Sequence, residues 1–170
     1  AKKDPTYENL GDHSETIEVT YDPRKISFNE LLDIFWDDHE PTIPAWSRQY
    51  MSIIFFHNED QRKLALMTKD REERKRKKKV YTEIMPAGTF WPAEDYHQKY
   101  YLRNTPLVMN EFKILYPSSV DFVNSTAAAK VNGFLGGNGT IEDLKAGLED
   151  SRLSAVVIDR IIKGLKGSSR

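Results

Sequence analysis

Apolar and polar positions alternate between residues 16 and 21. Ile17, Val19 and Tyr21 share one parity, and Glu18 and Thr20 take the other. That period of two predicts a strand with one apolar face, ended by Asp22-Pro23 because proline cannot extend a ladder. Counting back by two puts Glu15 on the apolar face. A carboxylate entering a buried face is costly unless it is paired, hydrogen-bonded or protonated, which makes Glu15 the first candidate for chemistry. The plainer alternative is a strand-edge side chain turned back to solvent.

The pattern then changes period. Ser27-Phe28-Asn29-Glu30 is a capping box, and Phe28, Leu31, Leu32 and Phe35 form a helical stripe to about Asp38, widened by Ile34 and Trp36. Residues 50–56 are almost all apolar and predict a strand buried on both faces. Asn58 or Asp60 can cap a helix running towards Lys79. Residues 80–85 predict a short strand closed by Pro86. Residues 93–102 predict a helix with Tyr96 and Tyr100 on one side and His97 and Tyr101 on the neighbouring side. Strands alternating with helices point to an α/β or α+β sheet layered with helices.

Asn104-Thr105-Pro106 suggests a boundary between domains 1–103 and 104–170. Beyond it the periodicity is helical. Ser118 or Ser119 can cap a helix carrying Val123, Ala127 and Val131, stopped by Gly136-Gly137-Asn138-Gly139. Thr140 can cap a second helix. Ser154 can cap a third, striped by Val157, Ile158, Ile161, Ile162 and Leu165. The last five residues are expected to fray.

Composition narrows the function classes. The 170 residues carry 25 Lys and Arg against 26 Asp and Glu, so charge gives no general case for nucleic-acid or membrane binding. No apolar run approaches transmembrane length. The absence of cysteine excludes disulfides, thiolate metal sites and cysteine catalysis within these residues, and fits the cytosol. The basic run 74–79 could be a nuclear-localisation or nucleic-acid patch. Asp70, Glu72 and Glu73 dilute it and no aromatics interleave, which favours the solvated end of a helix. Glu94-Asp95-Tyr96-His97 contains one Glu-x-x-His. A di-iron bundle needs that motif twice and a Glu from two further helices, so no metal is expected. Tyr96 and His97 are instead candidates for a polar cleft, or the tips of an amphipathic helix. Tyr50, opening the apolar strand, and Tyr7, in the loop before the first strand, could join Glu15. Two phenols and a carboxylic acid suit binding and protonating a polarised neutral oxygen.

Several ordered segments carry a resemblance. They are Asp4-Pro5-Thr6-Tyr7, 11–15 with Tyr21-Asp22-Pro23, Ile26-Ser27-Phe28 with Leu31-Leu32 and Phe35-Trp36, and Gln49-Tyr50-Met51-Ser52. Thr82-Glu83-Ile84 and the run 90–100, Phe-Trp-Pro-Ala-Glu-Asp-Tyr-His-Gln-Lys-Tyr, complete the set. Together they resemble the A-type peptide methionine sulfoxide reductases, closely over 4–103. Residues 104–165 are more loosely similar to the helical C-terminal extension of animal-type members.

The resemblance implies an α/β roll with a two-layer sandwich core. It also implies reduction of the S epimer of methionine sulfoxide, free or in oxidised proteins, as oxidative-damage repair. In that family a cysteine of a Gly-Cys-Phe-Trp motif attacks sulfur, a Glu protonates the sulfoxide oxygen and two Tyr hydroxyls bind it. Carried over by motif, the acid is Glu15 and the phenols are Tyr7 and Tyr50. No bound cofactor is implied; thioredoxin or another thiol is the external reductant.

Two departures stand out. Gly-Cys-Phe-Trp is expected upstream of Tyr7, and the chain starts at Ala1 as if an N-terminal piece preceded it. Ala45-Trp46-Ser47-Arg48 occupies a loop where many members carry an Asp. These 170 residues are expected to keep the oxygen-binding half of the site and to be inactive. The alternative from another class is a non-catalytic relative that binds oxidised methionine or a partner protein.

Overall fold

In the computed structural model the described residues are 6, 11, 13–151 and 153–168. They form a mixed α/β chain, mainly helical with a small parallel sheet, dividing into two compact units, Ala1–Pro92 and Ala93–Arg170.

The first unit is built on a strand–helix–strand crossover. Strand β1 is Ile53–Phe56, helix α2 is Glu59–Arg76 and strand β2 is Glu83–Pro86. The strands pair in parallel, with Ile53 opposite Glu83 and Phe56 opposite Pro86. Parallel strands need a long connection, and the 18-residue α2 supplies it. Asn58 caps α2 by accepting the Gln61 N–H, and Lys77 ends it in the left-handed region at φ 53°. Ahead of the crossover lies α1, Phe28–Asp37, with Ser27 and Glu30 closing the expected capping box. Hydrogen bonds from Ser27 hold the Glu30 carboxyl below its ordinary pKa range.

The core of this unit is Leu32, Trp36, Ile54, Ala65 and Val80. Trp36 is fully buried, whereas Ile34 stays exposed and does not widen the stripe. A polar staple backs this core. Glu72 is 2% exposed and is met by Arg76 Nε at 3.0 Å, Arg71 Nε at 3.5 Å and Lys75 Nζ at 3.9 Å. Arg76 also donates to the Trp36 carbonyl at 2.8 Å and Arg71 pairs with Asp33, so the guanidiniums that neutralise Glu72 also tie α2 to α1. Arg74 pairs with Asp70 and Lys79 lies 4.9 Å from the Tyr81 ring centroid. Much of the basic run is thus engaged by its own helix and its near neighbours.

Two expectations for this unit fail. Residues 13–20 belong to no helix and pair into no strand among the described residues. Ile17 is 86% exposed and Val19 55%, so the alternation has no buried face to serve. Residues 50–52 do not begin the apolar strand, because Arg48–Tyr50 forms a 3-10 turn and only Ile54 of β1 is buried.

The second unit is helical: α3 Tyr100–Arg103, α4 Pro106–Leu115, α5 Ser119–Asn124, α6 Thr126–Leu135, α7 Ile141–Glu149 and α8 Ala155–Ser168. Pro106 opens α4, where its missing N–H costs nothing. The single helix expected from Ser118 onwards is two. Ser125 (ψ 123°) leaves the helical region, and its hydroxyl accepts the Ala128 N–H to cap α6. The expected stop at Gly136 and the Thr140 cap are observed, the latter as a full capping box with Asp143. The Ser154 hydroxyl accepts the Val157 N–H at 3.4 Å at the start of α8. Val108, Phe112, Leu148 and Ile161 are fully buried at the centre of this core. Among the described residues no helix is long and apolar enough to cross a membrane.

Phe112→Ala is expected to cost about 3–5 kcal/mol, as for a buried aromatic truncation. Ile17→Ser should stay within about 0.5 kcal/mol, as for an exposed position. Chemical denaturation of both variants checks the pair; a costly Ile17→Ser would restore the buried strand.

Candidate functional site

Glu15 is held by a turn 34 residues away. Its backbone N–H donates to the Gln49 carbonyl at 2.9 Å. The Gln49 side-chain amide donates back to Glu15 Oε1 at 2.7 Å. One residue earlier, the Ser14 hydroxyl donates to the Arg48 carbonyl at 2.7 Å. The segment at Ser14 and Glu15 and the 3-10 turn are therefore clamped by three hydrogen bonds at consecutive positions. Glu15 itself is exposed, which corrects the expectation of a carboxylate on a buried face. Its environment comes from hydrogen bonding, not from an apolar wall.

Tyr50 ends the same turn. It is 43% exposed, and its ring lies 4.9 Å from that of Trp46, centroid to centroid. Tyr7 lies outside the described residues. Of the three predicted site residues, the structure thus brings Glu15 beside the turn that carries Tyr50.

The turn is also fixed to the sheet. Arg48 Nη1 lies 3.7 Å from Glu83 Oε2, and its Nη2 donates to Met85 Sδ at 3.8 Å. Met51 N–H closes the turn on the Arg48 carbonyl at 3.3 Å. Behind it runs a relay that sequence reading did not find. His39 Nδ1 lies 2.7 Å from the Phe35 carbonyl, which can only accept, so Nδ1 carries a proton. In the neutral ring, Nε2 accepts from the Ser52 hydroxyl at 2.9 Å. The Thr82 hydroxyl, fully buried, then donates to Ser52 at 2.8 Å. The Glu83 N–H donates to the Ser52 carbonyl at 3.0 Å and Lys69 Nζ to the Thr82 carbonyl at 2.8 Å. These contacts lock the starts of both strands two residues after Tyr50.

Tyr96 and His97 belong to the second unit, where their ring centroids lie 4.2 Å apart with the planes tilted by 42°. Residues 93 and 94 belong to no element and 95–99 are turns, not the expected helix. His97 N–H returns to the Glu94 carbonyl at 3.0 Å and Gln98 N–H to the Asp95 carbonyl at 3.1 Å. Lys99 sits at φ 53°, and α3 starts only after it. Glu94 and His97 are thus not on a helix face, and among the described residues no group of three or more His, Asp or Glu could hold a metal ion. Burial pushes the Lys99 ammonium down from its ordinary pKa.

Gln49 was visible in the Gln-Tyr-Met-Ser motif but had no assignable role, since its partner is 34 positions away. Chemically, the clamp offers an exposed carboxyl with one oxygen occupied by an amide donor, on a rigid turn that also carries a half-exposed phenol.

A small parallel α/β unit presenting a clamped carboxyl and a phenol, with no thiol in its sequence, is the class of site defined here. The family model for peptide methionine sulfoxide reductase matches residues 1–128. A Drosophila melanogaster protein named peptide methionine sulfoxide reductase is 42% identical over 153 residues, 88% of this chain and 61% of its own length. A rice protein named peptide methionine sulfoxide reductase A5 is 39% identical over 140 residues, 79% of this chain and 54% of its own. A Methanothermobacter thermautotrophicus protein named peptide methionine sulfoxide reductase MsrA is 41% identical over 113 residues, 60% and 67% of the two chains. The chain belongs to the peptide methionine sulfoxide reductase family. It spans 61% and 54% of the first two of these relatives.

Thr82→Val keeps the buried shape and removes the hydroxyl that donates to Ser52. It is expected to destabilise the first unit by about 1–3 kcal/mol, the cost of a broken buried hydrogen bond. Equilibrium unfolding checks it, and a neutral substitution would remove the relay as a support of the turn.

Proposed function

We propose that this chain supplies the oxygen-binding half of a peptide-methionine (S)-S-oxide reductase site. Glu15 is the general acid for the sulfoxide oxygen, and Tyr50 and Tyr7 bind that oxygen through their hydroxyls. The observation that carries the reading is the clamp from Gln49 to Glu15, in a chain of this family. A carboxylic acid fixed beside a phenol-bearing turn suits an oxygen that becomes a better leaving group on protonation.

A thiol sulfur attacks the sulfoxide sulfur while Glu15 gives its proton to the oxygen and the thiol's own proton returns to Glu15; the S–O bond of the sulfoxide breaks and the oxygen passes, with its one proton, to the attacking sulfur. Methionine is released and the thiol sulfur leaves as a sulfenic acid, with Glu15 reprotonated. Two equivalents of an external thiol, of the thioredoxin kind, then return the sulfenic acid to thiol with loss of water. The attacking thiol is not among these 170 residues, which contain no cysteine. A carboxylate or phenol cannot take its place, because neither accepts the oxidation. The substrates in this reading are methionine sulfoxide, free or in oxidised proteins. Domain 1–103 carries the site and 104–170 is the helical extension. Tyr96 and His97 are proposed as further substrate contacts, and the compartment is the cytoplasm.

The 170-residue chain is expected to form no methionine from methionine-S-sulfoxide in a single-turnover assay. A form in which a Gly-Cys-Phe-Trp segment precedes Ala1 should give at least one stoichiometric turnover and stall without added thiol. In that form Glu15→Gln should slow the step roughly a hundredfold or more. Turnover by the present chain would overturn the chemistry. A folded but inert cysteine-bearing form would favour a non-catalytic relative that binds oxidised methionine or a protein partner.

A further inference from the structure

We propose that Gln49 is the positioning residue for Glu15: its side-chain amide occupies Oε1 and so assigns the transferable proton to Oε2. This rests on the reading of Glu15 as the general acid. The amide nitrogen carries donors only, and it sits 2.7 Å from Glu15 Oε1. A protonated carboxyl has one oxygen that accepts and one that donates. With Oε1 accepting from Gln49, the acidic hydrogen is confined to the other oxygen. An unclamped, exposed Glu would share its proton between both oxygens and sample several rotamers, most of them useless for transfer.

The clamp removes that freedom by two routes. The main-chain bond from Glu15 N–H to the Gln49 carbonyl, at 2.9 Å, fixes where the Glu15 backbone lies. The side-chain bond fixes the end of the carboxyl. Both anchor points come from one residue, and that residue is the immediate neighbour of Tyr50. The residue that holds the acid and the residue that carries the phenol are therefore neighbours in the same 3-10 turn. Arg48, through its ion pair with Glu83 and its contact with Met85, keeps the turn seated on β2. Because the main-chain bond survives any side-chain change, a substitution at Gln49 separates orientation of the carboxyl from placement of the segment.

Two experiments test this, one free of catalysis. In the 170-residue chain, the side-chain amide resonances of Gln49 are followed by nitrogen-15 NMR against pH. Besides Glu15, titratable or charged groups near the clamp are Arg48 and Tyr50 on either side of Gln49, Glu83 across the Arg48 ion pair and His13 two residues before Glu15, so Glu15→Gln and Glu83→Gln serve as controls. Gln49 is expected to follow the ionisation of Glu15, losing its inflection in Glu15→Gln and keeping it in Glu83→Gln. A flat Gln49 signal, or one that persists in Glu15→Gln, overturns the contact.

The second experiment uses the cysteine-bearing form described above. Gln49→Met keeps length and packing without the donor. It should slow the reductive step roughly ten- to hundredfold, as expected for a misaligned reacting group. Affinity for N-acetyl-methionine-S-sulfoxide should change less than about threefold, so the loss falls on kcat and not on KM. An unchanged rate, or a loss confined to KM, overturns the positioning role. If the form with native Gln49 does not turn over, the general-acid reading falls and takes the role with it, while the NMR arm still reports whether the contact exists.

Discussion

The site depends on one constraint: a segment outside any helix or strand is held to a 3-10 turn by hydrogen bonds at consecutive positions. A segment outside helices gains order from pairing, and residues 13–20 pair into no strand among the described residues. The Ser14 and Glu15 contacts to Arg48 and Gln49 take over that task locally. Without them nothing described in the structure would separate Glu15 from an ordinary surface carboxylate. With them, a residue distant in sequence fixes both the position and the orientation of a candidate proton donor.

The turn can act as an anchor only because it is itself rigid. Its rigidity comes from the polar relay His39–Ser52–Thr82 behind it and from the parallel pairing of β1 with β2. Those in turn rest on α2, which is tied to α1 by the buried Glu72 and its arginines. Breaking a buried pair leaves an uncompensated charge, so such a staple resists partial loosening. The order of dependence runs from a charged staple between helices, through a short sheet, to a turn, and finally to one carboxyl oxygen.

Local chemistry was legible in the sequence and long-range pairing was not. The capping boxes at Ser27 and Thr140 and the Asn58 cap follow from neighbours three residues apart, and the structure has all three. Of the stripe Val157, Ile158, Ile161, Ile162 and Leu165, Ile158, Ile161 and Leu165 are buried, and Val157 and Ile162 are partly buried against the same core. The alternation at 16–21 failed for a different reason: a period of two says which side chains share a face, not that another surface covers it. The helix expected over 93–102 failed at Lys99, whose left-handed backbone no propensity scale would assign to a lysine. Ser125 broke a helix that its apolar neighbours alone would have continued. Glu15 and Tyr50 could be singled out from residue type and motif, but Gln49 needed the turn that brings it back across 34 positions.

The most direct measurement is amide hydrogen exchange at Glu15. Its N–H is predicted to be protected well below the rate of an unstructured peptide, because it donates to the Gln49 carbonyl at 2.9 Å although the side chain is exposed. Exchange of the Glu15 amide at the unprotected rate, in a chain whose α1 and α2 amides are protected, would contradict the clamp and everything derived from it.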